Sequence, residues 1–197
     1  MHRFVRSRYR ARFFLPLAVA LACGGGHAPA PARPAPAPPA APRIARVADA
    51  NTAAILLTSL SADLAAARLA TTRARHRDVK LLARSIVTDL TPSSTKLSRL
   101  LSSIKLNPRE DDVSQMLRDQ SYARRDTLRN LSGSRFDVVY IEGEVRFHED
   151  LLVAIDSVFL PSARNASLKD YITAVRPTIA SHLALAEQVR ATITARR

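Results

Sequence analysis

From residue 44 onward, apolar residues recur every three or four positions, the spacing of one face of an α-helix. Ala53, Leu56, Leu57, Leu60, Leu64 and Ala67 share one face of a helix predicted over about 46–75. Val79, Leu82, Ala83, Ile86 and Leu90 make a second stripe, which continues through Leu97, Leu101 and Ile104. Thr91-Pro92 interrupts it and predicts either a restart, with Thr as cap and Pro in the first turn, or a kink. Asn107-Pro108-Arg109-Glu110 reads as cap, first-turn proline and capping-box acid of a third helix. That helix is the most polar and is predicted to end near Ser132-Gly133. Ser134-Arg135-Phe136-Asp137 predicts the start of a fourth helix, which Leu160-Pro161 should stop. Its stripe is Phe136, Tyr140, Gly143, Phe147, Leu151, Ala154 and Val158. Asn165 to Asp170 offers caps for a fifth helix running to about 195.

No segment alternates apolar and polar residues as a half-buried strand does, and no solenoid period repeats. Four long amphipathic helices and one polar connecting helix predict an all-α bundle.

Composition divides the 197 residues into three parts. Residues 1–22 carry five arginines and no acid, then the apolar run Phe13 to Ala22, which is the layout of a signal peptide. Ala20-Leu21-Ala22-Cys23 follows the apolar run, and Cys23 is the only cysteine. The segment resembles a bacterial lipobox, which implies lipidation of Cys23 and cleavage before it; plain cleavage at an Ala-x-Ala-type site is the alternative. Gly24 after the cysteine implies, by analogy with lipoprotein sorting, an outer-membrane lipoprotein facing the periplasm, against a soluble periplasmic or secreted form. Residues 23–43 hold seven of the twelve prolines between 28 and 42 and read as an extended tether. Residues 44–197 are one domain of ordinary size. A single cysteine excludes a disulfide framework and a Cys-rich metal site. No run of about 18 apolar residues spells a spanning helix.

The formal net charge of +13 includes the five leader arginines, so the mature chain carries +8. In an exported chain that balance points to anionic headgroups or other envelope polyanions, and not to nucleic acid. Arg68, Arg73, Arg75, His76, Arg77, Lys80 and Arg84, and likewise Arg124, Arg125 and Arg129, fit either such a surface or a plain solvated face.

The candidate chemistry is the set of polar residues on apolar faces. Asp63 falls between Leu56, Leu60 and Ala67, while Asp89 edges the second stripe. Asp137, Glu144 and His148 lie beside the fourth stripe, and His182 accompanies Val175, Ile179 and Ala186. Carboxylates and imidazoles on four inward faces are the inventory from which bundle cores build metal sites for Fe, Mn or Zn. Each also has a structural reading. Asp137 can cap its own helix, Glu144 and His148 can satisfy each other at i,i+4, and Asp63 can pair with an arginine. His182 can bond the carbonyl freed by Pro177. Glu144 and His148 are also spaced differently from the Glu-x-x-His of di-iron bundles.

In order, Asp63, Arg68-Leu69-Ala70, Val79-Lys80-Leu81-Leu82-Ala83, Ile86-Val87-Thr88-Asp89, Phe136-Asp137-x-x-Tyr140-Ile141, His148, and Pro177 to His182-Leu183-Ala184-x-Ala186 resemble the bacterial domain-of-unknown-function family 4142 over about 46–190. The resemblance implies export, frequent lipid anchoring and a ferritin-like four-helix bundle, with no established reaction. Two positions depart from it: Asp63 stands where the family usually has Glu, and Leu90 where it usually has His. Leu90 lies on the second stripe: if that His is a ligand in relatives, this chain has an apolar plug in its place and a metal site is weakened or absent, and if it is structural, Leu90 is a conservative core filling.

No nucleophile elbow, phosphate loop, Cys-x-x-Cys or zinc-protease His pair is present. Two functions fit. One is a non-enzymatic envelope lipoprotein that binds a protein or an anionic surface. The other is a ferritin-like protein that binds a metal, or uses it for redox chemistry, through Asp63, Asp89, Glu144, His148 and His182.

Overall fold

The computed structural model describes residues 47–195, all within one compact unit, Ala41–Arg197. The leader, Cys23 and the tether through residue 43 lie outside the described residues. Helix α1 spans Asp49–Arg73, α2 Arg77–Ser103, α3 Asp112–Arg129 and α4 Gly133–Ala154. A π-helical turn, Ile155–Phe159, leads from α4 into the short α5, Leu160–Ser162, and α6 spans Ala166–Thr194. The described residues contain no strand, so the chain is the all-α bundle that its periodicity predicts.

The connections set the directions. At one end the Asp49 carboxylate accepts the backbone N–H groups of Arg164 and Asn165 at 3.0 and 2.8 Å. At the other, Asp137 accepts those of Arg75 and His76 at 2.9 and 2.8 Å. Hence α1 and α6 run one way, and α2 and α4 the other. α1 packs on α2, α2 on α6, α6 on α4, and α4 on α1. The outer helix α3 lies on α1 and carries the chain back to the end where α4 starts. One long crossover of this kind is the connectivity of ferritin-like bundles.

The buried apolar residues form one core, with Leu56, Leu82, Ile86, Leu90, Phe136 and Ile172 among its fully covered members. An 18-residue window of α1 reaches a mean hydropathy of 1.4, enough by length and composition to cross a membrane. Strict counting of apolar runs misses it, because Thr58, Ser59, Ser61 and Asp63 interrupt the alanines and leucines. Most of that window is buried inside the bundle.

Several predicted boundaries move. α2 runs unbroken through Pro92, whose ring is exposed, and Thr91 and Ser93 hydroxyls return to the carbonyls of Val87 and Asp89 at 2.7 and 2.8 Å. α3 starts four residues after Pro108, because Asp111 and Ser114 form the capping box instead of Asn107 and Glu110. α4 starts at Gly133, which takes φ of 60° after the N-cap Ser132, so Ser134 is already helical. The helical run passes through Pro161 and ends one residue later, at Ser162. The N–H of Leu160 bonds the Ile155 carbonyl one residue further back than in an α-helix, and this π turn admits the proline. Of the caps offered between Asn165 and Asp170, Asn165 takes the position for α6, accepting the N–H of Leu168 at 3.0 Å.

The candidate site in the bundle core

The core face of α4 is Phe136, Tyr140, Ile141, Glu144, Val145, His148 and Leu151, continued by Ile155 of the π turn. Compared with the predicted stripe it is turned by about one residue. Glu144 and His148 therefore lie at its centre, with no exposure at all, while Gly143, Phe147, Ala154 and Val158 are half-buried on its flank. Asp63 meets the pair from α1 and is equally buried.

His148 Nε2 stands 3.3 Å from Asp63 Oδ2, and His148 Nδ1 stands 3.5 Å from Glu144 Oε2. His148 Nδ1 also lies 2.9 Å from the Glu144 backbone carbonyl, to which its N–H can donate. That contact leaves Nε2 turned toward Asp63. One ligand atom each from Asp63, Glu144 and His148 lies within 4.8 Å of the others. Both Asp63 oxygens, Glu144 Oε2 and His148 Nε2 lack a hydrogen bond of good geometry among the described residues.

The fourth member is Arg124 of α3. Its Nη2 donates to Glu144 Oε1 at 2.6 Å and to the Tyr140 carbonyl at 3.5 Å, and its guanidinium lies 5.9 Å over the Tyr140 ring. It reaches Glu144 by passing over Gly143. A Cβ there would sit 2.9 Å from Arg124 Nε and Nη2. The absent side chain at Gly143 is thus the gap through which a helix outside the ring of four delivers a cation to the core.

Burial alone would raise the Asp63 carboxyl, but the His148 imidazole and then the Arg124 charge outweigh it and hold it below its usual range. Burial and the neighbouring Asp63 charge push Glu144 up to about 7, against the pull of Arg124 and His148. Burial would lower His148; the Asp63 carboxylate 3.3 Å away, with Glu144, raises it to about 9. Burial lifts the Tyr140 hydroxyl well above the ordinary phenol range, with help from the Glu144 and Asp63 charges.

The other predicted residues fall into separate groups. His182 Nε2 meets Asp89 Oδ2 at 2.9 Å, and Ser85 donates to the same oxygen at 3.2 Å. Pro177 therefore does not supply the partner of His182. The His182 ring stands edge-on to His148, with centroids 5.5 Å apart. Asp89 and His182 thus adjoin the cluster without adding a ligand atom to it. Leu90 next to Asp89 is fully buried in the apolar core. Asp137 leaves its own helix uncapped and caps the α1–α2 turn. Arg73, grouped with cations that fit an anionic surface or a solvated face, donates to the carbonyls of Arg129 and Leu131 at 2.9 and 2.7 Å and ties down the end of α3.

Sequence reasoning missed Arg124 as a core residue. The signal was present, since Gly143 is the one glycine in a helix interior among the described residues, and interior glycine costs helix stability unless something passes close by.

The structure is an all-α bundle with two carboxylates, an imidazole and a guanidinium enclosed at one level of its core. The chain belongs to the family described as a domain of unknown function, DUF4142, which matches residues 33–189. No curated protein and no solved structure matches it.

Proposed function

We propose that this chain is a lipid-anchored envelope protein whose bundle holds a divalent transition metal between Asp63, Glu144 and His148. The observation that carries the reading is the buried convergence of Asp63, Glu144 and His148, one ligand atom of each within 4.8 Å of the others, while both Asp63 oxygens, Glu144 Oε2 and His148 Nε2 lack a hydrogen bond of good geometry among the described residues. Buried polar atoms in native cores are nearly always hydrogen-bonded, so lone pairs left without a good donor are costly unless something else fills them. Donors about 2.1 Å from one ion stand roughly 3–3.5 Å apart, which is the separation of Asp63 Oδ2 and His148 Nε2. Two carboxylates and an imidazole suit Fe, Mn or Zn. Arg124 and the Glu144 carbonyl take the outer positions, orienting Glu144 and the imidazole. A bound ion would supply Lewis acidity, or redox chemistry in the case of Fe or Mn. Export and anchoring through Cys23, at the outer membrane, complete the reading and rest on the lipobox-like segment and the tether.

A second reading follows from Arg124. With Asp63 and Glu144 ionised and His148 protonated, its 2.6 Å contact closes the charge balance of the cluster without a metal. The bundle is then a binding or structural module, and its inward charges specify packing.

Elemental analysis of the Cys23→Ser chain, purified without a chelating tag, separates the two. The metal reading expects stoichiometric Fe, Mn or Zn that is lost in His148→Ala. It also expects added metal at a hundredfold excess over Kd to stabilise the metal-free protein by about 2.7 kcal/mol. For a domain of this size that is about 5–10 °C in Tm. No bound metal and no shift with any of the three ions leaves the closed ionic cluster. Membrane fractionation tests the anchor, since Cys23→Ser should release the protein into the soluble fraction.

A further inference from the structure

The flank of α4 that turns away from the core is not solvated like an ordinary polar face. Gly143, Phe147, Ala154 and Val158 lie at helical spacing along one wall of a cleft of about 620 Å³ between α1, α3 and α4. That volume is in the range of small-molecule sites. On α1 the facing residues at the middle of the cleft are small, Ser59, Ala62 and Ala66, which keeps it open. On α3 the wall includes Val113, which is 46% exposed, and Leu117.

The cleft is polarised along its length. In the half nearer the start of α4 it carries Arg124, whose Nε has no hydrogen-bond partner among the described residues, and Arg146, with Thr127 and Val139 beyond them. Toward the end where α4 meets the π turn it is lined by Ile55, Val158 and Phe159. Gly143 to Val158 covers about 22 Å of helix at 1.5 Å per residue. Among the described lining residues Asp150 is the one acid, against Arg146 and an Arg124 that already bonds Glu144 through Nη2 and has its Nε to spare.

We infer that this cleft binds a single-chain lipid with a carboxylate head, its acyl chain along the α1–α4 wall and its head at Arg124 and Arg146. Charge complementarity at one end and an apolar, elongated interior at the other identify a fatty-acid anion over a neutral apolar ligand or a peptide helix. Guanidinium groups match a carboxylate in geometry as well as charge. The inference goes beyond the metal reading and does not depend on it, because the cleft lies on the outer side of Gly143.

The test is titration of the delipidated, metal-free Cys23→Ser chain with palmitate, read by native mass spectrometry and by displacement of a fluorescent fatty acid. One palmitate per chain is expected, with methyl palmitate at least about tenfold weaker. Arg146→Glu, at an exposed position, should weaken palmitate by about five- to tenfold. Ala62→Phe should fill the cleft and abolish binding while circular dichroism and Tm stay near those of the parent. No stoichiometric palmitate overturns the inference. Equal affinity for acid and methyl ester, or binding untouched by Ala62→Phe, overturns it as well. If residues 47–195 bind palmitate and the full Cys23→Ser chain does not, the preceding segment is the occupant and the lipid assignment falls.

Discussion

Substituting Gly143 by Ala poses a conflict of sign. By intrinsic propensity, Ala in place of Gly inside an exposed helix stabilises by up to about 1 kcal/mol. The new Cβ, however, would sit 2.9 Å from Arg124 Nε and Nη2 and 3.1 Å from Cζ, closer than real contacts allow. Arg124 is the movable partner, with 23% of its side chain exposed, so it yields by swinging outward. Glu144 then loses its 2.6 Å charged hydrogen bond while fully buried. Losing such a bond costs about 1.5–3 kcal/mol, and stranding a buried charge costs more. Gly143→Ala should therefore destabilise the metal-free protein by about 1–3 kcal/mol. In an Arg124→Ala background the clash is gone, and the same substitution should stabilise by about 0.5–1 kcal/mol. The double-mutant cycle should show a coupling of about 2–3 kcal/mol. Urea denaturation at pH 8 with a chelator present measures it, since Glu144 is then ionised. A stabilising Gly143→Ala in the parent protein, or an additive cycle, would refute the account of Arg124 as the partner of Glu144.

The remaining predictions concern the same polar groups. His148 is raised to about 9 and Glu144 to about 7 in the folded state, so both bind protons more tightly there than in the unfolded chain. The stability they contribute is complete below their unfolded values and is lost as pH rises through the folded ones. Metal-free protein should lose about 2–3 kcal/mol between pH 6.5 and 9, and His148→Gln should flatten that slope in urea titrations; a flat parent profile would count against the cluster's protonation scheme. Asp63 is depressed, so its contribution is lost instead on acidification below the usual carboxylate range. Asp137→Ala removes the acceptor of two backbone N–H groups and should cost about 2 kcal/mol in chemical denaturation, with hydrogen exchange at Arg75 and His76 accelerated. Asp89→Asn should cost under about 1 kcal/mol, because the Asp89 side chain is 42% exposed, and a larger loss would show that the His182 pair is part of the core cluster.

Much of this protein follows from local rules that act within one helical turn. Periodicity near 100° per residue placed α1, α2, α4 and α6, and the cap candidates from Asn165 to Asp170 placed the start of α6 to within a turn or so. The same reasoning put Asp63, Glu144, His148 and His182 on inward faces, and all four are buried. The family resemblance carried by the ordered residues holds over the domain. Tertiary structure decided the rest, because partners across a bundle depend on helix rotation and on the reach of long side chains. A turn of about one residue in α4 moved Glu144 and His148 from the edge of a stripe to the centre of the core and left Phe147 and Val158 on a cleft. Asp137 had a local cap within reach but took two N–H groups from the α1–α2 turn, since those donors are orphans that helix α4 can serve only from across the bundle. Arg124 looked like any cation on a polar helix until packing laid α3 over Gly143. Sequence spacing specifies which face a residue takes; which charge it meets there is set by packing between helices far apart in the chain.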